Sequence, residues 1–268
     1  MESQRVKVTI EGGVADVRLS RPGKLNALDQ AMFEALIDTG KALARDKRVR
    51  SVVLSGEGRG FCAGLDFASF MAMAGSDRPT RQLMDRADFG RGNFAQQAAF
   101  VWQEVPAPVI AAIHGVAFGG GLQIALGADI RFVRPDAQLS VMEIKWGLIP
   151  DMSGTQTLRR LLRLDVVKEL TFTGRIVSGA DAVQLGLATH VSDDPHADAM
   201  ALAREIAGKS PDAIRAGKRL LNESGLSTVE EGLRMEESLQ RSLIGSPNQL
   251  EAVQAKMTKR AAAFHDPE

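Results

Sequence analysis

The 268-residue chain has no tyrosine, one cysteine and no surplus of charge of either sign. With aromatics at 5% and tyrosine absent, it lacks tyrosine stacking platforms, which disfavours binding of single-stranded nucleic acids. Its 33 basic and 33 acidic side chains cancel. No overall positive field therefore draws in nucleic acid or an anionic membrane surface. A lone thiol, Cys62, excludes an intrachain disulfide and fits a reducing compartment. No apolar run approaches the roughly 18 residues that a membrane span needs. The opening stretch "MESQRVKVTI" has no apolar leader core and passes directly into strand-like alternation, so a cytoplasmic chain is expected. The four histidines are scattered without metal-ligand spacing.

What is present suits a sizeable core: 44% of residues are hydrophobic and 25% are charged. Residues 5–20 alternate on both sides of Gly12-Gly13, the pattern of a hairpin. "QAMFEALIDTGKALARD" has helical periodicity, with Asp29 as its N-cap. "VRSVVLSG" and "APVIAAIHG" read as buried strands, and "ADIRFV" and "AQLSV" as shorter ones. Residues 67–104 are mostly helical, interrupted by "AGSDRPT". From Thr155 the pattern turns helical, with a loop near 190–195. Four amphipathic helices follow, the last covering "PNQLEAVQAKMTKRAAAF". The pattern predicts an α/β core over 1–195 and a C-terminal helical region over 196–268.

The stretch "GVAFGGGLQIALGADI" places Gly119, Gly120 and Gly121 between a buried strand and an apolar helix. Each glycine inside a helix costs about 1 kcal/mol relative to alanine. In return, backbone without β-carbons approaches a ligand closely, and the first N–H groups of a helix are free to bind negative charge. Close strand–helix packing explains the triplet equally well. It has neither the phosphate-loop nor the dinucleotide-loop spacing. "FCAGLD" is a second small-residue turn, so two turns can each offer one N–H to the same oxygen.

"RPGKLNAL", "VVLSGEGRGFCAGLDF", "APVIAAIHGVAFGGGLQIALGADIRF", "MEIKWGLIPDMSGTQTLRRL" and "ELTFTGRIVSGADAVQLGLATHV" occur in the order and spacing of one family. In these motifs the chain resembles the enoyl-CoA hydratase/isomerase (crotonase) superfamily. The resemblance runs from about residue 5 to 195 and implies a spiral of ββα turns, an acyl-CoA thioester ligand, and a homotrimer or dimer of trimers. It implies no metal or redox cofactor, coenzyme A entering as part of the substrate. It also implies an oxyanion hole from the backbone N–H groups of Leu65 and Gly120, with Ala63, Asp66 and Gly119 nearby and Lys24 where relatives place a basic residue near the CoA. A solvated turn lysine at Lys24 and a loop-stabilising acceptor at Asp66 are the alternatives.

In relatives that hydrate a double bond, two glutamates flank the substrate. The resemblance aligns Gln123 with the first and Glu143 with the second. An amide has no titratable proton and cannot be a general base. Losing one acid/base partner removes about 10²- to 10⁴-fold of rate, which weighs against an efficient hydratase. Glu143 and Asp151 together resemble the acidic pair of the dienoyl-CoA isomerase branch, although that branch is acidic at position 123. The position of Asp151 also resembles the nucleophile of aryl-CoA dehalogenases. Those enzymes carry a tryptophan where this chain has Glu143, and a histidine in an insert that has none here.

The expected chemistry is double-bond isomerisation through an enolate, with a Glu143-only hydratase and a non-catalytic acyl-CoA-binding protein as alternatives. Trp146, between the two carboxylates, is expected at the substrate. Met71, Met73, Met84 and Trp102 are weighed as pocket or core, and chain-length selectivity is expected within 67–104. Lys256, Lys259 and Phe264 are expected in the last helix, in reach of CoA. Cys62 has no base beside it, and His114 is expected to be a packed, hydrogen-bonded histidine.

Overall fold

The hairpin forms as expected. Strands β1 (Val6–Glu11) and β2 (Val14–Leu19) pair antiparallel, from Val6↔Leu19 to Glu11↔Val14. Gly12 and Gly13, at φ 56° and 80°, make the two-residue left-handed turn that matches strand twist. The structure, a computed structural model, describes residues 4–66, 68, 71, 83–86 and 90–267.

From β2 the sheet continues in parallel through β3 (Ser51–Gly56), β4 (Val109–Ile113), β6 (Ile130–Val133) and β9 (His190–Val191). A smaller sheet, in the order β5 (Val116–Phe118), β7 (Gln138–Ser140), β8 (Val177–Ser178), stands beside it. Strands β8 and β9 lie in segments whose pattern predicts helix and loop. At two residues each, they are too short for alternation to show.

The main sheet is covered on both faces, as parallel sheets require. Val17, Val52, Leu54, Ala111 and Ile113 face the large core, together with Phe33 and Leu36 of α1 (Gln30–Arg45) and Trp102 of α2 (Phe94–Glu104). The intervening residues Val14, Val53, Ile110 and Ala112 face the other way, onto Ala199, Ala203 and Ala207 of α7 (Pro195–Ala207). Alanine at every fourth position lets that helix settle closely on the strands. Ser51 Oγ also donates to Ala203 O at 2.8 Å. The expected boundary at 195/196 therefore falls at the head of a helix that belongs to the sheet.

The chain leaves the core with α8 (Pro211–Ser224), α9 (Val229–Leu243) and α10 (Pro247–Met257). Lys218 fastens α8. Its buried ammonium pairs with Asp129 at 2.8 Å and donates to Trp102 O and Ala107 O. The last helix stops at Met257, short of the expected end, with Lys259 in the left-handed region. Glu251 explains the stop: it pairs with Arg260 and accepts from Ala263 N, folding the tail back. Lys259 and Phe264 thus lie beyond the helix, and Phe264 O accepts from Arg50 Nη2 at 2.9 Å.

Candidate active site

Two turns meet where the sheets adjoin. After β3 the chain runs through residues 60–66 alongside β5, with Cys62 N donating to Val116 O and Phe118 N to Cys62 O. Gly64 adopts φ +83°, and a β-carbon there would lie 2.5 Å from Phe118 O and 3.6 Å from Gly120 N. On the other turn, α3 (Gly120–Leu126) follows Gly119, whose own N–H goes to Ser140 O. A β-carbon on Gly121 would lie 2.3 Å from Cys62 O. The third glycine thus serves packing between the turns. Among the described residues, the N–H groups of Leu65 and Gly120 have no hydrogen-bond acceptor.

Both residues line a cavity of about 410 Å³, with Phe33, Ala63, Gly64, Leu83, Met84, Ala95, Phe118, Gly119, Met142, Glu143, Trp146, Leu148, Asp151 and Met152. Among the described residues, Glu143 and Asp151 supply its only carboxylates, and the rest of this lining is apolar or backbone. Glu143 opens the short helical turn Glu143–Trp146 after β7. Asp151 precedes α4 (Gly154–Leu161) without capping it, the N-cap position falling to Ser153, whose side chain makes no capping bond.

Gln123 joins these pieces. It is buried on α3, donates Nε2 to Glu143 Oε1 at 2.5 Å, and accepts at Oε1 from Met152 N at 2.9 Å and Gly154 N at 2.8 Å. It thereby fixes one carboxylate and the turn that carries the other. Glu143 Oε2 is buried with no hydrogen-bond partner. Burial pushes the Glu143 carboxyl above its ordinary range, against its own backbone and Gln123, with the nearby Asp151 charge adding to the rise. Burial raises Asp151 as well.

The cavity brings together Ala63, Leu65, Gly119, Gly120, Glu143, Trp146 and Asp151, with Gln123 directly behind. Two expected residues stand apart. Asp66 is turned to Arg21 at 2.7 Å and to Ala68 N at 3.0 Å, so it stabilises the loop instead of lining the cavity. Lys24 is exposed on the turn Pro22–Lys24, outside the lining. Trp102 is wholly buried with Nε1 on Ala98 O, a core residue, whereas Trp146 is 55% exposed at the cavity. Met84 lines the cavity, Met71 is exposed outside the lining, and Met73 lies outside the described residues, as does much of 67–104. His114 bonds to Gly58 O at 2.9 Å. The Cys62 thiol is buried, bonded to Asn26 O and pushed up to about 12 by burial, which removes it as a nucleophile.

Phe33, Met142, Leu148 and Met152 are lining residues that sequence reasoning missed. Phe33 follows the same helical period as its core neighbours, so pattern alone does not separate it. Met142 and Met152 each adjoin a candidate carboxylate, which is the available signal.

The description enoyl-CoA hydratase/isomerase belongs to the family whose model matches residues 9–267. The chain is 34% identical over 259 residues to mouse (Mus musculus) mitochondrial enoyl-CoA hydratase domain-containing protein 2, covering 94% of this chain and 84% of that one. It is 33% identical over 257 residues to mouse mitochondrial Delta(3,5)-Delta(2,4)-dienoyl-CoA isomerase, covering 92% and 77%. The crystal structure of enoyl-CoA hydratase from Bacillus anthracis superposes with a TM-score of 0.91 at 29% identity, covering 98% of this chain and all of that one. With the expected core, the paired turns and these likenesses in hand, the chain belongs to the enoyl-CoA hydratase/isomerase family and has its fold.

Proposed function

We propose that the protein is an acyl-CoA double-bond isomerase. The observation that carries this reading is the pairing of Glu143 and Asp151 in an otherwise apolar cavity, with Gln123 committed to the Glu143 carboxyl and to the backbone that follows Asp151. In this mechanism the thioester oxygen accepts from the Leu65 and Gly120 N–H groups. Removing one such donor typically costs about 3–4 kcal/mol of barrier. The polarised thioester acidifies a neighbouring C–H, and Glu143 takes that proton to give an enolate. Asp151, whose neutral form burial favours, returns a proton to a carbon further along the chain. Gln123 orients the base and takes no proton.

A hydratase is the second reading, supported by the names of relatives such as the mouse domain-containing protein and the Bacillus anthracis enzyme. Incubation with 2-enoyl-, 3-enoyl- and 3,5-dienoyl-CoA in heavy water, followed by mass analysis, separates the readings. An isomerase gives isomers carrying deuterium on carbon. Solvent oxygen in a 3-hydroxyacyl product overturns isomerisation in favour of hydration. Binding without turnover of any thioester leaves a non-catalytic acyl-CoA-binding protein.

We further propose a homotrimer or dimer of trimers. Supporting it, α9 buries no residue within the single chain, and Leu221, Val229 and Leu233 lie exposed on α8 and α9. Light scattering at one and ten times the working concentration reads the mass directly.

A further inference from the structure

The two carboxylates differ in what lies around them. Glu143 lines the acyl cavity alone, whereas Asp151 also lines a second cavity of about 200 Å³. Among the described residues Asp151 is the one residue common to both. The linings contrast in chemistry. The second cavity carries polar groups from Arg91, Gln96, Ser153, Thr155 and Gln156. Thr155 and Gln156 are exposed at its rim, so it meets solvent. Ser153 is 8% exposed and held at φ 67°, and its Oγ is buried with no hydrogen-bond partner in the protein. Ser153 lines this cavity, so a rotation of its side chain toward the cavity gives the hydroxyl a partner, and a polar cavity of this size admits water.

We propose that Asp151, and not Glu143, exchanges its proton with solvent while substrate is bound, through this second cavity, with Ser153 positioning the water that carries the proton. The inference rests on the isomerase reading for its use in turnover. The steps balance. Glu143 gains the proton that leaves carbon. Asp151 gives its own proton to another carbon and becomes a carboxylate. A proton from the second cavity then restores Asp151, and Glu143 releases its proton when product departs. A thioester in the first cavity seals Glu143 among apolar groups but leaves Asp151 open on its other side.

The test separates this inference from the isomerase reading by using a ligand that does not isomerise. Protein saturated with hexanoyl-CoA, buffered in the acid range where both carboxyls hold protons, is mixed rapidly into heavy water. The two protonated-carboxyl infrared bands are assigned from their loss in D151N and E143Q. The Asp151 band is expected to shift on deuteration at least tenfold faster than the Glu143 band. Ser153→Ala, and separately Thr155→Phe at the rim, are expected to slow the Asp151 band at least threefold and leave the Glu143 rate unchanged. A merely structural effect of either substitution moves both bands. Equal rates in the unaltered protein, or an Asp151 rate indifferent to both substitutions, overturn the inference. Failure to isomerise any enoyl thioester overturns the proposed function alone, because this experiment needs no turnover.

Discussion

Replacing Gln123 by leucine removes one side chain and strands three partners. Met152 N and Gly154 N lose the acceptor they share, and Glu143 Oε1 loses its donor. A buried donor left without a partner costs about 1–3 kcal/mol, and a hydrogen bond to a charged group contributes about 1.5–3 kcal/mol. Taken at their lower ends, these give a loss of at least about 3.5 kcal/mol. That is a large share of the roughly 5–15 kcal/mol by which domains are stable. Urea unfolding at fixed protein concentration measures it, as a lower midpoint at unchanged slope.

Gln123→Glu is the matched control, because its oxygen still accepts from Met152 N and Gly154 N. It sets a carboxyl against Glu143, and two carboxylates that close share one proton. A shared proton means a raised folded pKa. The control is therefore expected to approach wild-type stability in mild acid and to lose stability as pH rises through that raised value. A leucine variant within about 1 kcal/mol of wild type, or a glutamate variant indifferent to pH, refutes the bridging role of Gln123.

Glu143→Gln is expected to lower isomerisation by at least about 10²-fold, measured as kcat/KM on the best enoyl thioester. Because burial raises the Glu143 pKa, the acid limb of the wild-type rate should lie above the ordinary glutamate value of about 4.3. The same shift makes Glu143 favour folding below that value and oppose it as pH rises through the raised folded one, so E143Q should gain thermal stability relative to wild type across that window. Lys218→Met removes the 2.8 Å partner of Asp129, which keeps the Val109 N–H, and takes the donor from Trp102 O and Ala107 O, so it should cost about 1–3 kcal/mol in urea unfolding. Cys62, buried with its pKa pushed up to about 12, should react with a maleimide only as fast as the protein opens, so labelling should be slow in water and accelerate sharply near the urea midpoint.

The main sheet and most of its helices follow from residue pattern because their physics is local. Asp29 caps α1 by accepting from Met32 N, and Gly12-Gly13 turn the hairpin in the register that alternation demands. The smaller sheet escapes such reading. β5 is three residues between glycines, and β8 is two, so their pairing is set by neighbours distant in sequence. The paired turns and both carboxylates were visible as motifs. Gln123 was visible too, but only the fold shows that its carbonyl is spent on two backbone N–H groups. Asp66 stabilises its loop through the guanidinium of Arg21, a partner that proximity in sequence to the turn does not reveal. The C-terminal helix was read too long because the Glu251–Arg260 pair that halts it spans nine positions.

Glu143 Oε2 is buried without a hydrogen-bond partner in the protein. Leaving a buried acceptor unmatched costs about 1–3 kcal/mol. A thioester whose polarised C–H meets that oxygen binds the folded chain and not the unfolded one, so saturating acyl-CoA should raise the melting temperature.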